Sequence, residues 1–98
     1  MTMRNLYHIT LVPRPGITDE EIQKVMDRAA DWFHYCGDCW LVWTEKDAKK
    51  WYERLAGFAK PGGVIFICRV DLSDRKGFAN KQLWSWLDQH QATERKKD

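Results

Sequence analysis

Cys36 and Cys39 are separated by two residues in the stretch HYCGDCW, with His34 just before them and a third cysteine at position 68. Three chemistries can use such a pair. A structural zinc site needs four ligands in a tetrahedron, so His34, His8, His90 or Cys68 would have to complete it. The chain holds no second CxxC and no HxxxH, and Cys68 lies inside the apolar run VIFICRV. Redox chemistry of the thioredoxin kind needs a helix just after the first cysteine to favour its thiolate. The strand-like CWLVW follows instead. The third use is packing, because an unreacted cysteine behaves as a small hydrophobe. An isolated motif favours packing, so neither a metal nor another cofactor is expected. Zinc or redox chemistry at Cys36 and Cys39 stands as the alternative.

His34 could serve as a general base only with an acid or nucleophile within hydrogen-bond reach. Its neighbours in sequence that offer one are Asp38, Cys36 and Cys39. A hydrogen-bonded structural histidine is the simpler reading. Its competitor is a ribonuclease or toxin-like nuclease built on His34 and Asp38. His8 falls in mid-strand, facing a seam or a ligand. Among the basic residues, Arg69, Arg75, Lys76 and Lys81 fall around the end of the last strand-like run, and Arg14 lies in a turn. These five are the candidate phosphate contacts. Asp71 and Asp74 interrupt them, so a solvated surface is the default.

The elements that must position these residues are readable from pattern. LYHITLV is rich in β-branched and aromatic residues and stops at Pro13, as a strand does. Thr18 and Glu21 have capping-box spacing, with Ile17 and Ile22 spaced as a hydrophobic staple. Apolar residues then keep helical period through Ile22, Val25, Met26, Ala29 and Phe33, predicting a helix from 19 to about 32. Gly37-Asp38 reads as a two-residue turn between strands over 33–36 and 39–43. Ala48, Trp51, Tyr52 and Leu55 mark a second helix, capped near Thr44 and Asp47 and ended by Gly57. VIFICRV is the last strand, and Asn80 caps a third helix carrying Leu83, Trp84, Trp86 and Leu87.

The resulting order, β-α-β-β-α-β and a closing helix, is the ferredoxin-like (split βαβ) arrangement, an α+β fold. It forms one domain over residues 1–90, with 91–98 as a disordered tail. Such a sheet carries its two main helices on one face. Yet Val64, Phe66 and Cys68 alternate with Ile65 and Ile67, and Trp40 and Val42 with Leu41 and Trp43, so both faces are apolar. Either the 81–90 helix or a second subunit must cover the second face. A homodimer is the expectation, with Ile65, Ile67, Trp43 and Leu41 as its interface.

Composition bounds the function. With 98 residues, 44% hydrophobic and six tryptophans, the chain is built to bury a core. Sixteen basic and 14 acidic residues leave a net charge of +2, which advertises no polyanionic partner. No apolar run approaches the roughly 20 residues of a membrane span. The opening MTMRNLYHITLV lacks a signal peptide's pattern, so a reduced, cytoplasmic setting without membrane attachment is expected.

From Trp32 onward, WFHYCGDCWLVWT, an amphipathic helix, VIFICRV and WSWL resemble the SinR-like small bacterial proteins. These in turn resemble the CRISPR-associated ferredoxin-like endonuclease family, the small dimeric subunit of the spacer-integration complex. The resemblance spans roughly residues 6–88. Its most specific piece is Trp32, Phe33 and His34 followed after a turn by Trp40, Leu41 and Val42, with Arg14-Pro15-Gly16 resembling the family's Lys-Pro-Gly. Both hairpin cysteines fall where the family carries an aliphatic and a small hydroxyl residue. Nuclease members resemble one another in an aspartate near the end of the first strand, which the resemblance implies would bind Mg²⁺. Here that position is Leu11, and the strand contains no acid. The resemblance therefore implies a degenerate member: a non-catalytic dimeric binding or assembly module with a nucleic-acid or protein partner.

Overall fold

The computed structural model describes residues 3–91 and shows an α+β fold, a four-stranded antiparallel sheet with three helices. The strands are β1 (Asn5–Val12), β2 (Asp31–Cys36), β3 (Cys39–Thr44) and β4 (Val64–Arg69). The helices are α1 (Asp19–Met26), α2 (Ala48–Ala59) and α3 (Lys81–Gln91). The expected tail over 91–98 lies, past Gln91, outside the described residues.

Strand order across the sheet is β2-β3-β1-β4. β1 runs antiparallel to β3, from Asn5 opposite Thr44 to Thr10 opposite Cys39. On its other side β1 pairs with β4, from Tyr7 opposite Arg69 to Val12 opposite Val64. β3 also pairs with β2, which makes β2 and β4 the two edges.

Local chemistry sets most element ends. The capping box forms: Glu21 N–H donates to Thr18 Oγ1 at 3.2 Å, and Thr18 N–H donates to Glu21 Oε2 at 3.0 Å. Ile17 packs against the core cluster that contains Ile22. Asp47, not Thr44, caps α2, accepting from Lys50 N–H at 3.0 Å. Thr44 instead ends β3. Leu83 N–H donates to Asn80 Oδ1 at 2.9 Å at the start of α3. Gly57 does not end α2, which continues to Ala59. Gly63 has a stricter reason to be glycine, since a Cβ there would come 2.1 Å from the carbonyl oxygen of Val12.

The helix predicted over 19–32 stops at Met26, a correction with a visible cause. Arg28 and Ala29 donate to the carbonyls of Val25 and Met26 in tight turns of 3.0 and 2.9 Å. Ala30 N–H then bonds Trp43 O at 2.9 Å, which hands the chain to the sheet. Asp27 Oδ1 fixes the exit by accepting from Trp32 Nε1 at 2.8 Å. β2 accordingly begins at Asp31, two residues before the expected Phe33.

Period-2 alternation divides the side chains between two layers. Tyr7, Ile9, Leu11, Trp40 and Val42 face α1 and α2, where they bury Ile22, Met26, Trp51, Leu55 and Ala59. Leu6 and Leu41 face the other way and are covered by Leu83, Trp86 and Leu87 of α3, with Phe33, Tyr35 and Trp43 at the margin. Asp31 fastens that helix: its Oδ2 accepts from Trp86 Nε1 at 3.0 Å and from His90 Nε2 at 2.8 Å.

Candidate functional site

Helix α3 covers the second sheet face over β2, β3 and the start of β1, and leaves the β4 side bare. Val64 is 50% exposed and Phe66 61% exposed, and Cys68 and Val12 are exposed beside them. The four residues expected at a dimer seam do not share a surface. Ile65 and Ile67 pack on the α1/α2 core, whereas Leu41 and Trp43 lie in the α3 layer. What remains open on the second face is the alternate set of β4.

At the hairpin end of this open face the ionisable side chains gather, and a bulge adds Cys36 to them. His34 pairs with Trp40 and Cys36 with Cys39, so Tyr35 is an extra residue on β2. A bulge resets the alternation of a strand. Tyr35 follows Phe33 onto the α3 face by ordinary alternation, and the bulge turns Cys36 to that same face, beside Cys39, Thr10 and His8. Tyr35 Oη is 2.5 Å from His8 Nε2 and lies beside Cys39. Cys36 faces Cys39 across the turn, and Thr10 Oγ1 lies 4.0 Å from Cys39 Sγ. The result is a continuous chain, His8 to Tyr35 to Cys39 to Cys36.

Burial and charge tune the groups. Desolvation holds His8 below its ordinary 6.5, so its imidazole is neutral at physiological pH. Tyr35 is pushed up to about 12, first by desolvation and then by the neighbouring Cys39 and Cys36. The Cys36 thiol is also pushed up, by desolvation and by Cys39. Tyr35 has one proton to share between His8 and Cys39. With Nε2–H on His8 donating to the phenol oxygen, Tyr35 O–H donates onward to Cys39 sulfur.

These shifts fix a pH dependence. Below the ordinary 6.5 the unfolded His8 takes up a proton that the native one resists, so stability falls on acidification through that value. From 10.0 to about 12 the unfolded Tyr35 loses a proton that the native one keeps, so stability also falls as pH rises across that interval. Urea midpoints measured against pH should show both limbs. Tyr35→Phe should flatten the alkaline limb and keep the acidic one. An unchanged alkaline limb in that variant would disprove the assignment.

The residues singled out from sequence lie in several parts of the fold. Cys36 is exposed and Cys39 half-buried, and Cys68 is exposed, so none packs in the core, contrary to the packing expectation. The reason is position: the pair flanks the turn, and Cys68 faces outward on an edge strand. Among the described residues no three His, Cys, Asp or Glu side chains converge to hold a metal ion. His34 lies on the opposite face, stacked on Trp40 with centroids 3.8 Å apart, and its Nε2 donates to Gly37 O at 2.5 Å. Its ring bonds the turn backbone rather than Asp38, whose carbonyl accepts from Leu11 N–H at 2.8 Å. Leu11, where the resemblance places the metal-binding aspartate, is 1% exposed against α1 and α2.

The basic residues are not one patch. Arg14 lies beyond Val12 and donates to Gly57 O at 3.1 Å, while Arg69 pairs with Tyr7 at the other end of the sheet. Five strand residues separate those ends, about 16 Å. Arg75 is ion-paired to Asp88 at 2.8 Å and Lys76 is exposed in the connection before α3. Lys81 borders a shallow recess with Phe33, Gln82, Ser85, Trp86 and Gln89. Sequence reasoning passed over Tyr35 and Thr10, because the strand pairing that brings them beside Cys39 is not visible along the chain.

No protein-family model matches this chain, and neither a curated protein nor a solved structure does. Among the described residues no helix is long and apolar enough to cross a membrane.

Proposed function

We propose that the chain is a ferredoxin-like, non-catalytic homodimeric module that binds or assembles with a nucleic-acid or protein partner, in the manner of the SinR-like and CRISPR-associated endonuclease-like proteins. The observation that carries it is the bare side of β4. Its outer edge pairs with no strand among the described residues, and its open face exposes Val64 and Phe66. Edge strands of solitary domains are usually blunted by charge, proline or a bulge. β4 carries no charge from Val64 to Cys68. A second copy meets both needs in part: two-fold related β4 strands supply the missing ladder to each other and set their exposed apolar residues side by side across it.

The order β2-β3-β1-β4 supports the fold assignment. β3 lies between β1 and β2, and β1 lies between β3 and β4, as two interleaved split βαβ units require. The lack of catalysis rests on Leu11, a buried aliphatic residue that can neither ligate a cation nor offset its charge. Light scattering should return twice the 11.7 kDa chain mass at micromolar concentration. Phe66→Lys, at an exposed position, should return one chain mass with an unchanged circular dichroism spectrum. Neither protein should cleave RNA or DNA when Mg²⁺ is added. A monomeric native protein would defeat the dimer, and Mg²⁺-stimulated cleavage would defeat the non-catalytic reading.

A further inference from the structure

Three side chains converge on one sulfur. The hydroxyls of Thr10 and Tyr35 and the thiol of Cys36 all lie against Cys39 Sγ, and the Tyr35 hydroxyl is itself bonded to His8. We propose that Cys39 and Cys36 form a thiol–disulfide exchange site for low-molecular-weight disulfides, with Cys39 attacking and Cys36 resolving.

Geometry allows the bond. Directly opposed residues of an antiparallel pair have Cα atoms about 4.5–5.5 Å apart. That interval lies within the roughly 4.4–6.8 Å spanned by disulfides. Cys36 and Cys39 are such a pair, with side chains already in mutual contact. Access allows the reaction, since Cys36 is exposed and Cys39 only half-buried at the hairpin end. The usual device for favouring a thiolate, a helix N-terminus, is absent here because β3 follows. Polar side chains surround the sulfur instead: the Thr10 and Tyr35 hydroxyls and the Cys36 thiol lie beside Cys39 Sγ, and Tyr35 is bonded to His8.

The step balances without a cofactor. The Cys39 thiolate attacks one sulfur of a disulfide RSSR; that S–S bond breaks and RS⁻ leaves, taking a proton from solvent. Cys36 gives up its proton and attacks Cys39 Sγ, displacing the second RS⁻ as RSH. The protein is oxidised by two electrons to the Cys36–Cys39 disulfide, and RSSR is reduced to two thiols.

Oxidised glutathione is a suitable probe for the reduced, full-length protein at neutral pH. The tryptic peptide 29–46 contains both cysteines. It should lose two hydrogens, carry no glutathione, and return to its starting mass on reduction. Cys36→Ser should instead accumulate glutathione on Cys39, because the resolving thiol is missing. Cys39→Ser should react at Cys36 more slowly than the native protein and form no internal disulfide, because the attacking thiol is missing. Tyr35→Phe should slow the native reaction without changing the rate at exposed Cys68, an internal control outside the hydrogen-bonded chain. Equal rates of glutathione addition at Cys36, Cys39 and Cys68, with no internal disulfide, would overturn the proposal. So would a Cys36→Ser protein in which Cys39 stays unmodified.

Discussion

Trp51→Ala is expected to lower folding stability by about 3–5 kcal/mol, the cost of emptying a buried aromatic site. Trp51 is 0% exposed and sits where α2 meets the sheet, among Leu55 and the side chains of β1 and β3. It also has a polar role. Its Nε1 donates at 3.1 Å to Thr44 Oγ1, which in turn accepts from Lys46 N–H at 3.0 Å. Thr44 is a polar residue buried at the end of β3, and the indole helps keep its hydroxyl satisfied. Trp51→Phe separates the two contributions, since it retains most of the volume and removes the donor. Its expected cost is about 1–3 kcal/mol, the range for an impaired buried hydrogen bond. Small domains are stable by roughly 5–15 kcal/mol in all. Chemical denaturation should therefore find the alanine variant close to unfolded and the phenylalanine variant folded. Equal stability of the two would mean that packing at this position is not what holds α2.

Asp31→Ala should release α3 while leaving the rest of the fold in place. One carboxylate accepts from Trp86 and His90 through Oδ2 and from Trp32 N–H, at 2.8 Å, through Oδ1. Removing it strands the Trp86 indole N–H beneath the helix, at about 1–3 kcal/mol for an unsatisfied buried donor. The Asp31 side chain is 44% exposed, so its hydrogen bond to His90 adds less than a buried one would. The readout is local. Limited proteolysis should cut within residues 72–80 much faster than in the native protein, while the near-ultraviolet signal of the α1/α2 layer persists. Unchanged protection there would show that Leu83, Trp86 and Leu87 hold α3 by packing alone.

What could be read from the chain depended on distance along it. The capping box at Thr18, the strand stop at Pro13, the Gly37-Asp38 turn and the Asn80 cap each involve neighbours a few residues apart, and each formed where its pattern lay. The length of α1 failed because Ala29 and Phe33 continue its period. The competing event, Ala30 pairing with Trp43, lies across the sheet. Face assignment failed more instructively. Leu41, Trp43, Ile65 and Ile67 look equivalent as apolar residues, and only the register through β1 shows that two face one layer and two the other. The same register sends Arg14 and Arg69 to opposite ends. For the candidate site, the cysteines were legible as a motif but their partners were not. Cys36 shares a face with Tyr35 and Cys39 only because β2 carries one residue more than β3 needs.

That extra residue can be regarded as a graft. An ordinary strand position comes with its face already decided, and inserting a residue there turns every later side chain over. Tyr35 is inserted between two pairs, His34 with Trp40 and Cys36 with Cys39, that would be consecutive without it. Its phenol could thus be gained or lost in a single insertion or deletion, with every other pairing of the hairpin undisturbed. The tuning of the sulfur chemistry is in this sense separable from the architecture that carries it. A lineage could adjust the one without renegotiating the other.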